Sequence, residues 1–256
     1  MQFIANGIRD TGGNAIESST EILETYNTAN VRNIIFLAGI ASGGYQGKLI
    51  YTSLTNSIAD IDQLCMDDPN YPRQLIDGNG TKTAQFKALI SLPGVRYGCG
   101  SDHEGRIKCY GKYSKDWPLL QGYKYYNVYG NFLSKVPSAG EQIGYEEEVL
   151  KKLFYTDNFF TPIIILQQND EPFTYDTLPN YYAWTGMNAD LLTSYSNCNK
   201  WVENSITASG SVGFAGESVI SRVISTNIEK DYWTSPYPNG VSTCDIPHGV
   251  YCVQQP

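Results

Sequence analysis

Six cysteines constrain this chain more than any other feature: Cys65, Cys99, Cys109, Cys198, Cys244 and Cys252. Their number is even, and no two form a C-x-x-C pair. A zinc site draws on closely spaced ligands, and the two histidines, His103 and His248, stand far apart. Three disulfides are therefore the leading reading, which places folding in an oxidising compartment. Six buried free thiols are the alternative at this stage. Six cysteines allow about 15 pairings, and sequence alone does not choose among them. Cys99 and Cys109 flank Gly100-Ser101-Asp102-His103-Glu104-Gly105, a spacing that suits a hairpin turn closed by its own bridge. Three more cysteines crowd the last third with Trp184, Trp201 and Trp233, so the late loops read as stapled.

Composition narrows the class further. Hydrophobic residues make up 41% of the 256 and charged residues 17%, which supports a packed core and argues against global disorder. Twenty Tyr against three Met, with abundant Gly, Asn, Ser and Thr, favours a β- and loop-rich secreted protein over a helical cytosolic enzyme. A formal net charge of −8 repels phosphate backbones and anionic lipid, so nucleic acid is not an expected partner. The longest apolar runs, Ile34 to Ala38 and Ile163 to Leu166, are too short to span a bilayer and read as buried strands. No membrane-spanning segment is expected. Met1 to Asn6 has neither a basic start nor a long apolar run, so the sequence reads as a mature or trimmed form.

Along the chain, residues 1–31 are polar and weakly patterned and read as an N-terminal extension to one domain over 32–256. Ile34 to Ala38 is the first strand. Lys48 to Thr52 is expected to pair back on it through the turn Ser42 to Gly47. Ser57 to Cys65 has helical spacing: Ile58, Ile61, Leu64 and Cys65 share one face, so Cys65 points inward. Phe86 to Ile90 reads as a strand or a short helix. A Tyr-rich insertion occupies residues 120–180, and within it Glu146 to Phe154 runs from acidic to basic, which suits a short helix. Gly210 to Gly216 lacks the Lys-Ser/Thr of a phosphate loop and reads as a flexible loop.

Several segments occur in a telling order: Arg32 to Phe36 (RNIIF), Tyr45 to Leu49 (YQGKL), Ala59 to Cys65 (ADIDQLC) and Phe86 to Ser91 (FKALIS). Trp184 to Gly186, Cys198 to Trp201 (CNKW), Tyr232 to Thr234 (YWT) and Cys244 to Val253 follow. From residue 32 onward the chain resembles a bacterial domain of unknown function found in secreted proteins and surface lipoproteins. That family has a C-type lectin-like fold related to endostatin. The resemblance implies an α+β domain of short strands and long loops with one or two helices, stapled by disulfides. It implies that the first-helix cysteine joins the last-strand cysteine, giving Cys65–Cys252, with Cys198–Cys244 as the inner bridge and Cys99–Cys109 local. It also implies a secreted or outer-surface location. The outer bridge would contribute about 4–5 kcal/mol on the chain-entropy view. Sugar-binding relatives carry Glu-Pro-Asn or Gln-Pro-Asp and a later Trp-Asn-Asp as calcium ligands. Here Asp170-Glu171-Pro172-Phe173 precedes Trp184, and Thr234-Ser235 follow Trp233, so calcium-dependent sugar binding and any other cofactor are not expected.

Catalytic chemistry finds little support in the sequence. His103 and His248 are the only imidazole bases, and no G-x-S-x-G elbow is present. A loop histidine beside Cys244 reads as structural or merely exposed. Every cysteine has a plausible bridge partner, which leaves no free thiolate nucleophile. The expectation is a binding or adhesion module with no catalytic residue and an extracellular protein or glycan as partner. Its expected ligand residues are Tyr123, Tyr125, Tyr126, Tyr237, Asn239 and Asp245, since aromatic and amide groups on loops suit recognition. The alternative is an extracellular hydrolase on the same scaffold, in which Asp245 or His248 would meet other polar groups in a pocket.

Overall fold

The computed structural model describes residues 33–39, 42–50, 58–138, 182–188, 192–215 and 240–256. Among these residues the chain is mixed α+β and mostly strand. In order, the elements are β1 (Asn33–Ala38), α1 (Ile58–Asp67), β2 (Phe86–Ala88), β3 (Cys99–Ser101), β4 (Ile107–Cys109), β5 (Lys124–Tyr126) and β6 (Phe132–Lys135). They continue with β7 (Tyr182–Trp184), α2 (Cys198–Trp201), β8 (Ser209–Phe214), β9 (Val241–Thr243) and β10 (Gly249–Gln254). Glu146 to Phe154 and Ile163 to Leu166 lie outside the described residues.

β1 and β10 form the centre of the sheet, and their sequences explain why. Strand side chains alternate faces, yet both strands are buried at every position, so each face must be covered. They pair antiparallel, Ile35 opposite Val253 through Ala38 opposite Val250. Ile34, Phe36, Ala38, Val250 and Cys252 enter one core, which α1 covers with Ile61 and Cys65. Ile35, Leu37, Tyr251 and Val253 enter the other, with Trp117, Leu119, Tyr125 and Leu133. Fully burying such a side chain stabilises by about 1.5–3 kcal/mol, which makes these two strands the thermodynamic centre. The sheet runs β6-β5-β1-β10-β7-β8-β9. The far edge of β10 is shared: β7 pairs parallel at Gly249 and Val250, and β2 pairs antiparallel at Cys252 to Gln254. β3 and β4 form a separate hairpin.

Two sequence expectations change here. Lys48 to Ile50 does not pair back on β1. Instead the Leu49 and Ile50 N–H groups both donate to the Trp201 carbonyl at 2.9 Å, and Tyr45 bridges to His248. β1 pairs instead with β10 over Ile35 to Ala38 and with β5 at Asn33 and Ile34. The glycine-rich Ser209 to Phe214 is a buried strand, not a flexible loop. Glycine lowers strand propensity, but a Cβ at Gly210 would lie 2.7 Å from the Trp184 ring and 2.8 Å from Cys198 Sγ.

Three bridges tie these elements: Cys65–Cys252 joins α1 to β10, Cys198–Cys244 joins α2 to the turn after β9, and Cys99–Cys109 closes the β3–β4 hairpin. This is the pairing that the family resemblance implies. On the chain-entropy view, bridges over 187, 46 and 10 residues contribute about 5, 4 and 3 kcal/mol. α1 is also held at its C-terminal end. Asp68, fully buried, accepts from Gly39 N–H at 2.6 Å, the Tyr45 hydroxyl at 2.8 Å and Asn70 N–H at 2.7 Å. Burial raises the Tyr45 hydroxyl above its ordinary pKa, and the Asp68 carboxylate adds to that.

Arg96 is the largest buried charge among the described residues. Its guanidinium grips the Asp62 carboxylate of α1 at 2.6 and 2.9 Å, binds Asp116, and donates to the Ala88 carbonyl at 3.0 Å. Lys87 pairs with the other Asp116 oxygen. Breaking such a network strands a charge in a dry interior, at about 3–5 kcal/mol. Burial favours a neutral Asp116, but the hydrogen bonds from Lys87 and Arg96 outweigh it, so the carboxyl stays below its ordinary pKa.

That shift sets an acid limit. A carboxyl depressed in the folded state stabilises above its unfolded pKa of about 3.9 and loses that contribution as pH falls through the folded value. Urea midpoints are therefore expected to drop as pH falls below about 4.5. Asp116→Asn should be less stable at neutral pH and show a flatter acid slope. An unchanged slope would remove this network from the acid response.

Candidate functional site

Cys198-Asn199-Lys200-Trp201 is the longest run of left-handed non-glycine backbone among the described residues. All four residues have positive φ, at 49°, 51°, 61° and 64°, so α2 is a single left-handed helical turn. Non-glycine residues disfavour this region by about 1–2 kcal/mol each, because Cβ crowds the following carbonyl. Asn197 opens the turn. Its Oδ1 accepts from Lys200 N–H at 2.8 Å, its carbonyl accepts from Trp201 N–H at 2.7 Å, and its Nδ2 donates to the Ser194 carbonyl at 3.0 Å.

Strain of this size persists only where the surroundings over-determine it, and the two ends of the turn are so fixed. Cys198 is fully buried and bonded to Cys244. Trp201 is fully buried, its Nε1–H donates to the Ser91 carbonyl at 3.0 Å, and its ring lies 5.7 Å from that of Trp184. The Trp184 Nε1–H in turn donates to the Tyr45 carbonyl at 2.7 Å. Gly47 completes the clamp: a Cβ there would overlap the Cys198 sulfur, so the Tyr45 loop can press directly on the bridge.

The two middle residues, Asn199 and Lys200, are exposed. Three loops meet at the Cys198–Cys244 bridge that anchors them. Gly47 N–H donates to the Cys244 carbonyl at 2.7 Å, Gln46 Nε2 donates to the Asp245 carbonyl at 2.9 Å, and Asn204 Nδ2 donates to Gln46 Oε1 at 3.0 Å. Tyr195, Val202 and Ile206 on the flanking chain expose large apolar surface. These loops offer amides, the Lys48 and Lys200 cations and apolar side chains to solvent. Together they form a platform with the chemistry of recognition.

The residues expected from sequence are scattered across the structure. Tyr123 is 38% exposed and beside β5, which is four strands from β8, where Asn197 at the start of α2 bridges to Gly210. Tyr125 corrects the expectation: it is fully buried in the second core, where its hydroxyl accepts from Leu120 N–H at 2.8 Å, so it cannot contact a ligand. Burial pushes that hydroxyl up to about 12, against the opposing effect of the Leu120 hydrogen bond. Tyr126 is partly buried with its ring 5.5 Å from Phe132. Tyr125 and Tyr126 fall on β5, which pairs with both β1 and β6, and alternation sends Tyr125 inward. Tyr237 and Asn239 lie outside the described residues. Asp245 does join the loop cluster, and one of its carboxylate oxygens is enclosed without a hydrogen-bond partner.

The histidines separate cleanly. His103 is 82% exposed at the hairpin tip beside Glu104. His248 is fully buried, with Nε2 2.8 Å from Ser242 Oγ and its ring 4.6 Å from that of Trp184. Ser242 is buried as well, so this serine–histidine contact is closed to any substrate carbonyl. Among the described residues no group of three or more His, Cys, Asp or Glu gathers to hold a metal, and no helix is long and apolar enough to cross a membrane.

Asn199 and Lys200 were not singled out by sequence reasoning. The available signal was two polar residues held between a cysteine and a tryptophan, both of which prefer burial. Lys200→Gly should relieve strain and raise stability by about 1 kcal/mol, read as a higher urea midpoint. A destabilised variant would mean that the Lys200 side chain itself holds the turn. No family model and no curated protein matches this chain, so its function rests on the geometry of this platform.

Proposed function

We propose that the protein is a secreted or cell-surface binding module of C-type lectin-like architecture, which holds an extracellular protein or glycan through the loops around Cys198–Cys244 and performs no chemistry on it. The observation that carries this reading is the exposed Asn199-Lys200 pair, kept in a costly left-handed turn between two buried anchors. Backbone strain concentrates at ligand clamps and recognition sites, where fixed presentation lowers the ordering cost of binding. The three bridges, and the closure of α1 on the last strand, support the lectin-like architecture and an oxidising compartment.

The hydrolase reading draws on one contact, Ser242 with His248, at nucleophile–base distance. Burial of both partners favours a core role for that pair. Its hydrogen bond fixes the His248 ring against Trp184, and so supports the platform from beneath.

Glycan-array and matrix-protein binding should give a saturable signal with the oxidised chain. Asn199→Ala with Lys200→Ala should weaken it at least about tenfold, the effect of losing about 1.4 kcal/mol, while leaving the fold intact. Retained binding in that variant would move the site elsewhere. Turnover of an ester, amide or glycoside that disappears in Ser242→Ala would overturn the non-catalytic reading.

A further inference from the structure

The β3–β4 hairpin differs from the rest of the molecule in how its sulfur link is placed. Cys65, Cys252, Cys198 and Cys244 are all fully buried, whereas Cys109 is partly exposed. Cys99 and Cys109 face one another across an antiparallel pair. Tyr110 N–H donates to the Gly98 carbonyl and Asp102 N–H to the Arg106 carbonyl, so the intervening Cys99/Cys109 position is a non-hydrogen-bonded one. No ladder hydrogen bond would have to break for the two sulfurs to part.

The residue after the bridge is strained. Tyr110 has φ 67° and ψ 179°, a corner of backbone space that essentially only glycine visits. Burial of its ring in the second core and the neighbouring bridge hold it there. A third observation lies beneath. Trp117 packs in the same core as Cys99 and Tyr110, and its Nε1–H is buried without an acceptor. An enclosed donor with no partner loses its hydration and gains nothing in return. Strain at Tyr110 and the orphaned indole N–H both favour an open hairpin, and the Cys99–Cys109 bond together with the flanking backbone hydrogen bonds opposes it.

We propose that Cys99–Cys109 is a redox-sensitive latch: a dithiol reductant opens the 99–109 hairpin while the body, locked by the two buried bridges, stays folded. The thiolate of the reductant attacks Cys109 Sγ, forms a mixed disulfide and displaces Cys99 as a thiolate, which takes up a proton. The second thiol of the reductant then attacks its own sulfur in that mixed disulfide and releases Cys109, which is protonated in turn. Two electrons and two protons pass to the protein, and the reductant leaves as its cyclic disulfide. Once freed, Tyr110 relaxes to an ordinary extended conformation, and the Trp117 N–H reaches water.

Native protein treated with dithiothreitol and then quenched with iodoacetamide tests this directly. Peptide mapping should find label at Cys99 and Cys109 at least about ten times faster than at the other four cysteines. Tryptophan emission should shift to the red in step with labelling, and Trp117→Phe should abolish the shift but not the labelling. The Cys99→Ser, Cys109→Ser double variant should fold, form both remaining bridges and show the emission of the reduced protein. Equal labelling of all six cysteines, first labelling at a buried bridge, or a double variant that cannot form the other two bridges would each overturn the latch.

Discussion

β10 has neither a free face nor a free edge, and the rest of the structure is arranged to supply what it needs. Its six residues are buried on both sides, one edge is taken by β1, and the other is divided between β7 and β2. A strand so enclosed must satisfy every backbone group through neighbours, because an unpaired buried amide loses more than a made hydrogen bond returns. The strand therefore gathers segments from across the whole sequence. Cys252 then bonds to Cys65 from the middle of β10, and α1 is fixed to the face of the central pair. The long-range character of the fold follows from that one strand.

From this centre the architecture becomes progressively less regular toward the α2 loops. β8 can lie against β7 only because Gly210 offers no side chain where the Trp184 ring and the Cys198 sulfur need space. Gly47 presses the Tyr45 loop on the other side of the same sulfur. The inner bridge is thus packed against two glycine backbones and beside the Trp184 ring, with very little freedom of its own. A turn attached to so fixed an anchor can be held in a conformation that its residues would not choose.

Much of the scaffold was legible in the sequence, and the failures have physical causes. Ile34 to Ala38 was readable because a run apolar at every position requires cover on both faces. The first helix was readable because Ile58, Ile61, Leu64 and Cys65 recur with helical spacing, although it extends to Asp67. The Cys99–Cys109 hairpin followed from its turn residues. By contrast, Ser209 to Phe214 has the composition of a loop, and only the distant Trp184 ring makes glycine the right residue for that strand. Tyr125 shared its composition with the exposed Tyr123, but Tyr125 lies within β5, paired with β1, whereas Tyr123 precedes that strand, a boundary that no local pattern reveals. The left-handed turn contains no glycine at all. Local propensity argues against it, and what overrides propensity is a bond to a cysteine 46 residues away.

The distribution of strain carries the argument further. Among the described residues, non-glycine positive φ occurs at Tyr110, Asp116 and the four residues of α2. Tyr110 adjoins a disulfide, α2 begins on one, and Asp116 holds the buried Arg96. Each strained backbone is next to a covalent bond or a desolvated ion pair, which are the two attachments in this chain strong enough to oppose a distortion of about 1–3 kcal/mol. The consequences differ with burial. At α2 the opposing bond is sealed in the core, so the strain is permanent and the exposed pair is presented in one geometry. At Tyr110 the opposing bond is within reach of solvent, so the same kind of strain becomes releasable. One physical device, a distorted residue held by sulfur, is thereby fixed at α2 and conditional at the β3–β4 hairpin, and solvent access to a single cysteine makes the difference.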